Sequence, residues 1–478
     1  MNLEEYSQYD ALGLAELVRS GEVSAEELSG LACEGADKVN TELNAIVGML
    51  DEPRFSKPAD DARFTGVPTF LKDLGASIAG LPQEMGSRLT KGLIAPETTH
   101  FARQVLEAGF IVLGRTTTPE FGLTLTTETL ACGQTRNPWN TGKITGGSSG
   151  GSAAIVAAGV VPLAHTNDGG GSTRIPASIC GNVGLKTSRG RVSLGPGLND
   201  LTAPLVAEGC NSRTVRDTAA FLDAVAHHHP GDYHLPHEGS FLDHLLNSRP
   251  GSYRIAISLD GWGDDVEMDA DIRTEVERIG QLLREQGHTV EEVTPDILKT
   301  NYLIDQFKVL WFVMAEDTVN GLAAVTNRIP GPDNLEPLTL MMAEAAAQFS
   351  ALEFAKALEA THVIGQELTQ LFSSWDLLLT PTLNRPTPDL GSNLRLHANV
   401  DLETWYQEAL TTVPHTPLAN FTGIPAISVP VGTGPQAMPL GLHFFSAYGN
   451  EAALLDIARQ LEEAAPWINR RPAVHVSN

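Results

Sequence analysis

Two glycine-dense runs constrain this chain more than any other feature. The first is TGGSSGGSAA, residues 145–154, with Gly146, Gly147, Gly150 and Gly151. The second is NDGGGSTRIPAS, residues 167–178, with Gly169, Gly170 and Gly171. Glycine weakens helices and strands by roughly 0.5–1 kcal/mol relative to alanine, so such density needs a reason. One is close approach of the backbone to a ligand, with N–H groups aimed at an anion and the positive end of a following helix behind them. A phosphate loop fits that physics, but G-x-x-x-x-G-K-[ST] requires a lysine that is absent here, and a G-x-G-x-x-G nucleotide fold lacks its acidic residue. The other reading is an oxyanion hole, in which N–H groups of Gly169, Gly170, Gly171 and Ser172 converge on a tetrahedral intermediate. Ser172 then stands where a nucleophile is needed, although a serine there also suits a helix N-cap. No G-x-S-x-G elbow surrounds it. A buried neutral lysine can act as its base, since burial lowers a lysine pKa. His165 and Asp168 supply the parts of a Ser–His–Asp triad, but both lie in one short segment that reads as a strand entering the loop.

Around these runs, short apolar stretches alternate with helical ones. THFARQVLEAG precedes the strand-like FIVLGRT. SGGSAAIVAAG precedes VVPLAH, and RIAISL and HTVEEV flank another helix. WDLLLTPT, PAISVPVG and LGLHFF read as later strands, and NEAALLDIARQLEEA as a closing amphipathic helix. This pattern predicts an α/β sandwich with a central mixed, twisted β-sheet covered by helices on both faces. The first and last thirds are expected to build the sheet. Residues 1–60 form an N-terminal helical segment, with Asp10 and Ser24 as caps, Gly21 as a stop and Glu27 completing a capping box. Residues 65–230 form the core, and 300–375 a helical elaboration, all within one domain, 1–478.

Composition narrows the functions. Of 478 residues, 42% are hydrophobic and 19% charged, the balance of a folded globular protein. A net charge of −26 disfavours nucleic acid and anionic membranes. Cys33, Cys132, Cys180 and Cys210 form no C-x-x-C pair, which argues against zinc or thioredoxin-type sites and fits a reducing cytoplasm. The acidic start MNLEEYSQYD reads as no signal peptide. The apolar run 153–164 is too short to span a bilayer.

The motifs taken together resemble the amidase signature family. GVPTFLKDL (66–74) is similar to its lysine segment. RNPWN with GGSSGGSAA, then DGGGSTRIPAS, are similar to its signature core. GLKTSRGRVS, RTVRDTAAFLDA, TGIPAISVPVG and MPLGLHFF are similar to later blocks. The likeness runs from about residue 10 to 470. It implies a catalytic Lys72, a relay serine at Ser148, which the family usually precedes with a cis peptide, and a nucleophile at Ser172. The serine spacing, 172 − 148 = 24, is the family's. It implies an acyl-enzyme mechanism in a hydrolase of carbon–nitrogen bonds other than peptide bonds, with no metal or organic cofactor. Ser149, Asp168 and Arg174 are expected to support the loop.

Departures from the common pattern are Asn167, Thr173 and the KTSRGR segment. NPWN, HTNDGGGS and the C-terminal AYGNEAALLDIARQLEEAAPWINRRP are most similar to bacterial amidases related to 6-aminohexanoate-cyclic-dimer hydrolase. That likeness implies a small linear or cyclic amide as substrate, and a homodimer is the assembly to be expected if the chain associates. The alternative is the amidase subunit of a glutamyl-tRNA amidotransferase, releasing ammonia from glutamine. Pocket walls are expected at 124–132, 307–314 and 444–448.

Overall fold

The structure, a computed structural model, describes residues 1–199, 204–232, 235–264 and 266–478. Its N-terminal helices stop and start as local chemistry dictates. Asp10 accepts from Gly13 N–H and opens helix Ala11–Ser20, which Gly21 closes at φ 76°. Ser24 accepts from Glu27 N–H and opens Ala25–Leu43. The reciprocal half of the expected capping box does not form, because the Glu27 carboxylate accepts instead from the Met1 ammonium at 2.9 Å. The helical segment ends at Leu43, and residues after it turn into a strand.

The strands, in chain order, are β1 (Ile46–Arg54), β2 (Pro68–Lys72), β3 (Ile111–Thr116), β4 (Glu128–Thr129), β5 (Gly133–Gln134), β6 (Leu163–Asp168) and β7 (Val183–Lys186). They continue with β8 (Ala207–Ser212), β9 (Arg254–Ile257), β10 (Thr289–Glu292), β11 (Leu377–Pro381), β12 (Ala426–Thr433) and β13 (Pro439–Ser446). Eight of them form one mixed sheet in the order β10-β9-β11-β13-β12-β7-β8-β6. β9 pairs in parallel with both β10 and β11, and the other pairings in this sheet are antiparallel.

Two details differ from the sequence expectation. The middle of the chain contributes β9 and β10, because a strand–helix–strand unit must hydrogen-bond both its strands and finds an open edge at β11. The strand that ends in Lys72 lies in a separate sheet, ordered β1-β3-β2. That small sheet meets the large one at its β6 edge, where Thr69 Oγ1 donates to Leu163 O at 2.9 Å.

Side-chain alternation distributes the large sheet between two cores. Leu377, Leu379, Ile427 and Phe444 pack in one, with the C-terminal helix Glu451–Ala464. Leu378, Ala426 and Phe445 pack in the other, beneath helices Tyr302–Thr326 and Ala351–Ser374. Helices therefore cover both faces. Among the described residues, no helix is long and apolar enough to cross a membrane.

Phe444 is wholly buried at the sheet centre. Phe444→Ala is expected to lower the urea-unfolding free energy by about 3–5 kcal/mol. The KM of the folded fraction should not move, because this ring faces the core remote from the catalytic loops.

Candidate active site

Lys72 is the last residue of an entirely buried strand, PTFLK. Its own N–H donates to His165 Nδ1 at 3.0 Å, which fixes the end of β2 against β6. Its Nζ lies 2.6 Å from Ser148 Oγ and 2.6 Å from Asn167 Oδ1. The side chain is 1% exposed. Burial lowers its pKa to about 7, although the negative charges of Glu208 and Asp168 act in the other direction.

Ser148 follows a cis peptide bond from Gly147. A Cβ on Gly147 would stand 2.7 Å from the backbone of Thr124, Leu125 and Thr126, so only glycine lets this turn dock. Helix Gly150–Ala157 starts immediately after. Ser149 supports the turn, its Oγ donating to Asn167 O at 3.2 Å.

The second glycine run turns from β6 into helix Arg174–Cys180. Asp168 organises it. Its Oδ1 accepts from Gly171 N–H at 2.7 Å, and its Oδ2 accepts from Thr173 N–H at 3.1 Å. Arg174 donates to both carboxylate oxygens at 2.9 Å, and Asn420 Nδ2 donates to Oδ1 at 2.9 Å. Burial would raise the Asp168 pKa, but Arg174 and Asn420 outweigh it and hold the group down at about 2. Gly171 has φ 132°, and a Cβ there would meet Thr416 Oγ1 at 2.5 Å. Thr416 Oγ1 in turn donates to Gly170 O at 2.7 Å. The peptide between Gly170 and Gly171 is thus pinned through its oxygen and its N–H.

That pinning alters the expected oxyanion hole. The Gly171 N–H is committed to Asp168, which leaves the N–H groups of Gly169, Gly170 and Ser172 as the candidate donors. The missing side chains at Gly169 and Gly170 admit the rings of Trp311 and Phe307, which approach to 3.1 and 3.2 Å of the ideal Cβ positions. Ser172, 7% exposed, opens into a cavity of about 490 Å³, its mouth included. Among the described residues, Ser172 Oγ has no hydrogen-bond partner, so the expected link to Ser148 is open here, as catalytic hydrogen bonds often are without substrate. Both nitrogens of His165 are occupied, Nδ1 by Lys72 N–H and Nε2 by Glu208 Oε2 at 2.6 Å. His165 therefore does not serve Ser172.

Thr124, Leu125, Phe307 and Trp311 line the cavity, inside the spans expected from the sequence. The third expected wall does not. Phe444 and Phe445 are core residues of β13, and Tyr448 is exposed with its hydroxyl donating to Arg189 O. Its place is taken by Trp405, Tyr406, Ala409 and Val413, around helix Leu402–Thr412. Sequence reasoning missed this helix, which carries no motif. It also missed Thr416 and Asn420, which only the folded loop reveals as partners of the glycine run.

A family model described as Amidase matches residues 29–455. The chain is 37% identical over 481 residues to 6-aminohexanoate-cyclic-dimer hydrolase of Paenarthrobacter ureafaciens, covering 97% of this chain and 96% of that one. The chain belongs to the amidase family. Its class of reaction is hydrolysis of amide carbon–nitrogen bonds. A solved 6-aminohexanoate cyclic dimer hydrolase with substrate bound superposes with a TM-score of 0.89 at 34% identity, over 98% of this chain and 99% of that one. A bacterial aryl acylamidase of the amidase signature family superposes at 0.84, with 25% identity over 97% and 99%.

Arg174→Ala would remove the guanidinium that is hydrogen-bonded to both oxygens of the buried Asp168 carboxylate. The amidase variant is expected to lose about 3–5 kcal/mol of unfolding free energy in urea. The pH dependence follows from sign. The folded Asp168 pKa lies below its usual value, so its contribution is present above about pH 4. It is lost as pH falls towards 2. The deficit of Arg174→Ala should therefore shrink in acid.

Proposed function

We propose that this amidase cleaves small uncharged amides through an acyl-enzyme on Ser172, with Lys72 as base and Ser148 as relay. The observation that carries the proposal is the 2.6 Å contact of a buried Lys72 Nζ with Ser148 Oγ. With a pKa of about 7, much of Lys72 is neutral at neutral pH and can accept a proton. Substrate seated in the cavity brings Ser172 Oγ onto Ser148, and Ser172 Oγ attacks the substrate's amide carbon to form the tetrahedral intermediate. The proton of Ser172 passes to Ser148 as that of Ser148 passes to Lys72. Negative charge on the former carbonyl oxygen is met by N–H groups of Gly169, Gly170 and Ser172. Lys72 returns the proton through Ser148 to the leaving nitrogen, the C–N bond breaks, and the amine departs. Water activated by the same pair then cleaves the ester.

The cavity supports an uncharged substrate. Among the described residues, those that line it include no ionisable side chain with a full charge at neutral pH. The hydroxyls of Thr124 and Tyr406 are already donating to the carbonyls of Leu394 and Ile304. A free glutamine would bring an ammonium and a carboxylate into these apolar walls without partners, so the amidotransferase alternative is disfavoured. A compact cyclic amide carries no such charges, in keeping with the name of the relatives at 36–37% identity.

Ser172→Ala and Lys72→Ala are each expected to lower kcat/KM on a neutral aryl amide by more than about 1000-fold. A fluorophosphonate should label Ser172 in the wild type, read by peptide mass spectrometry. Activity of Ser172→Ala within ten-fold of wild type would sink the assignment. The kcat/KM profile is expected to fall on the acid side with a limb near pH 7, where Lys72 becomes protonated. In a paired assay, a neutral cyclic amide should exceed its ring-opened zwitterion as substrate. The reverse order would count against the uncharged-substrate reading.

A further inference from the structure

The relay leaves one buried acid near Lys72 unexplained. Glu208 is 6% exposed on β8 and stands directly opposite Asn167 of β6 in the antiparallel register. Its Oε2 accepts from His165 Nε2 at 2.6 Å. Because His165 Nδ1 accepts the Lys72 N–H, the ring proton must sit on Nε2, and the imidazole is a neutral donor to Glu208. Glu208 Oε1 and Asn167 Nδ2 lie 2.4 and 2.5 Å from one point, the place where a Cβ on Gly75 would stand. The other face of that Asn167 amide, Oδ1, holds Lys72 Nζ. Asn167 therefore touches the lysine through Oδ1, while its Nδ2, which donates to Leu74 O at 3.2 Å, shares the space over Gly75 with the Glu208 carboxylate.

The remaining charges around Lys72 are already matched. Asp73, immediately after β2, is paired with Arg115 of β3. On β6, Asp168 is paired with Arg174 from helix Arg174–Cys180. The helices packed on β2, Ala25–Leu43 and Gly150–Ala157, bury only apolar and small residues. Among the described residues, Glu208 is the acid facing Lys72 that has no cation of its own.

We propose that Glu208 is the counter-ion of the Lys72 ammonium formed at each proton delivery, with His165 holding the carboxylate and Asn167 spacing it from the amine. Glu208 is a positioning residue and takes no proton. The proton leaves Ser172, passes through Ser148, resides on Lys72 and returns to the leaving nitrogen. The inference rests on the reading of Lys72 as base. It is supported by the direction in which Glu208 acts on Lys72, raising its pKa against burial.

The test is the pH profile of kcat/KM on a neutral aryl amide, with the full-length enzyme and a thermal melt of each variant. Glu208→Gln keeps shape and removes charge. It is expected to lower kcat and to move the acid limb down by about one unit, as loss of one charge at this range allows. Near pH 6, where the wild type has lost about ten-fold, this variant should have lost little of its own maximum. A folded Glu208→Gln with its limb where the wild type has it overturns the proposal. If that variant does not fold, Glu208→Asp is read in its place, since it draws the charge back by a methylene. A smaller downward movement supports the role, and an unmoved or raised limb overturns it. Retained activity in Lys72→Ala would refute the base itself, whereas an unmoved limb with Lys72→Ala inactive refutes only the counter-ion.

Discussion

A lysine amine at 1% exposure cannot keep its proton as water would let it. Taking an ammonium out of water costs several kcal/mol even after relaxation. The protein responds with two contacts of 2.6 Å, one to Ser148 and one to Asn167, and these lie on segments 76 and 95 residues away. To bring them together, the small sheet must dock on the β6 edge of the large one, and the cis turn at Ser148 must seat against 124–126. Much of the first half of the chain is arranged around that meeting. The result is an amine that a pKa of about 7 leaves largely able to accept a proton and that two contacts hold in place.

The second dependence is the Asp168–Arg174–Asn420 cluster. Hydrogen bonds to a carboxylate in a dry site are strong, and an orphaned one would be costly, so the cluster locks the loop as a unit. It joins β6, a short helix after the loop, and a segment 252 residues further on. Asp168 has its charge matched by Arg174 and spends a loop N–H to define the turn. The commitment of the Gly171 N–H to Asp168 follows from that. Its neighbours are pre-aimed because the intervening peptide cannot rotate.

The parts of this molecule legible in the sequence are those fixed by local chemistry or a dense motif. Asp10, Gly21 and Ser24 announced their helix ends. The alternation of β9, its helix and β10 was visible, though not that the pair joins the main sheet, since edge availability is a property of the whole fold. The glycine runs marked where backbone approaches closely. They did not say which N–H groups remain free, because that depends on Asp168 taking the Gly171 N–H and on Thr416 reaching Gly170 O across 246 residues. The box at Ser24 failed for a similar reason, as Glu27 found the terminal ammonium. Phe444 misled because strand alternation alone does not tell which of two apolar faces borders a cavity.

Chemistry and selectivity sit in different parts of the chain, and the physics of each explains why. Proton transfer needs fixed distances, which the first 180 residues supply through strands, turns and saturated hydrogen bonds. The cavity walls come largely from helices after residue 300, whose apolar side chains need only fill space. Such walls can change shape with modest energetic effect as long as volume is kept. They also make the charges of the reaction count for more. In the proposed reaction the oxyanion would form against N–H dipoles under Trp311 and Phe307, and the positive charge on Lys72 behind Ser148. Each charge would be stabilised by fixed groups in a medium that water does not dilute, so under that proposal the separation of charge that limits serine attack would be met by an environment already arranged for it.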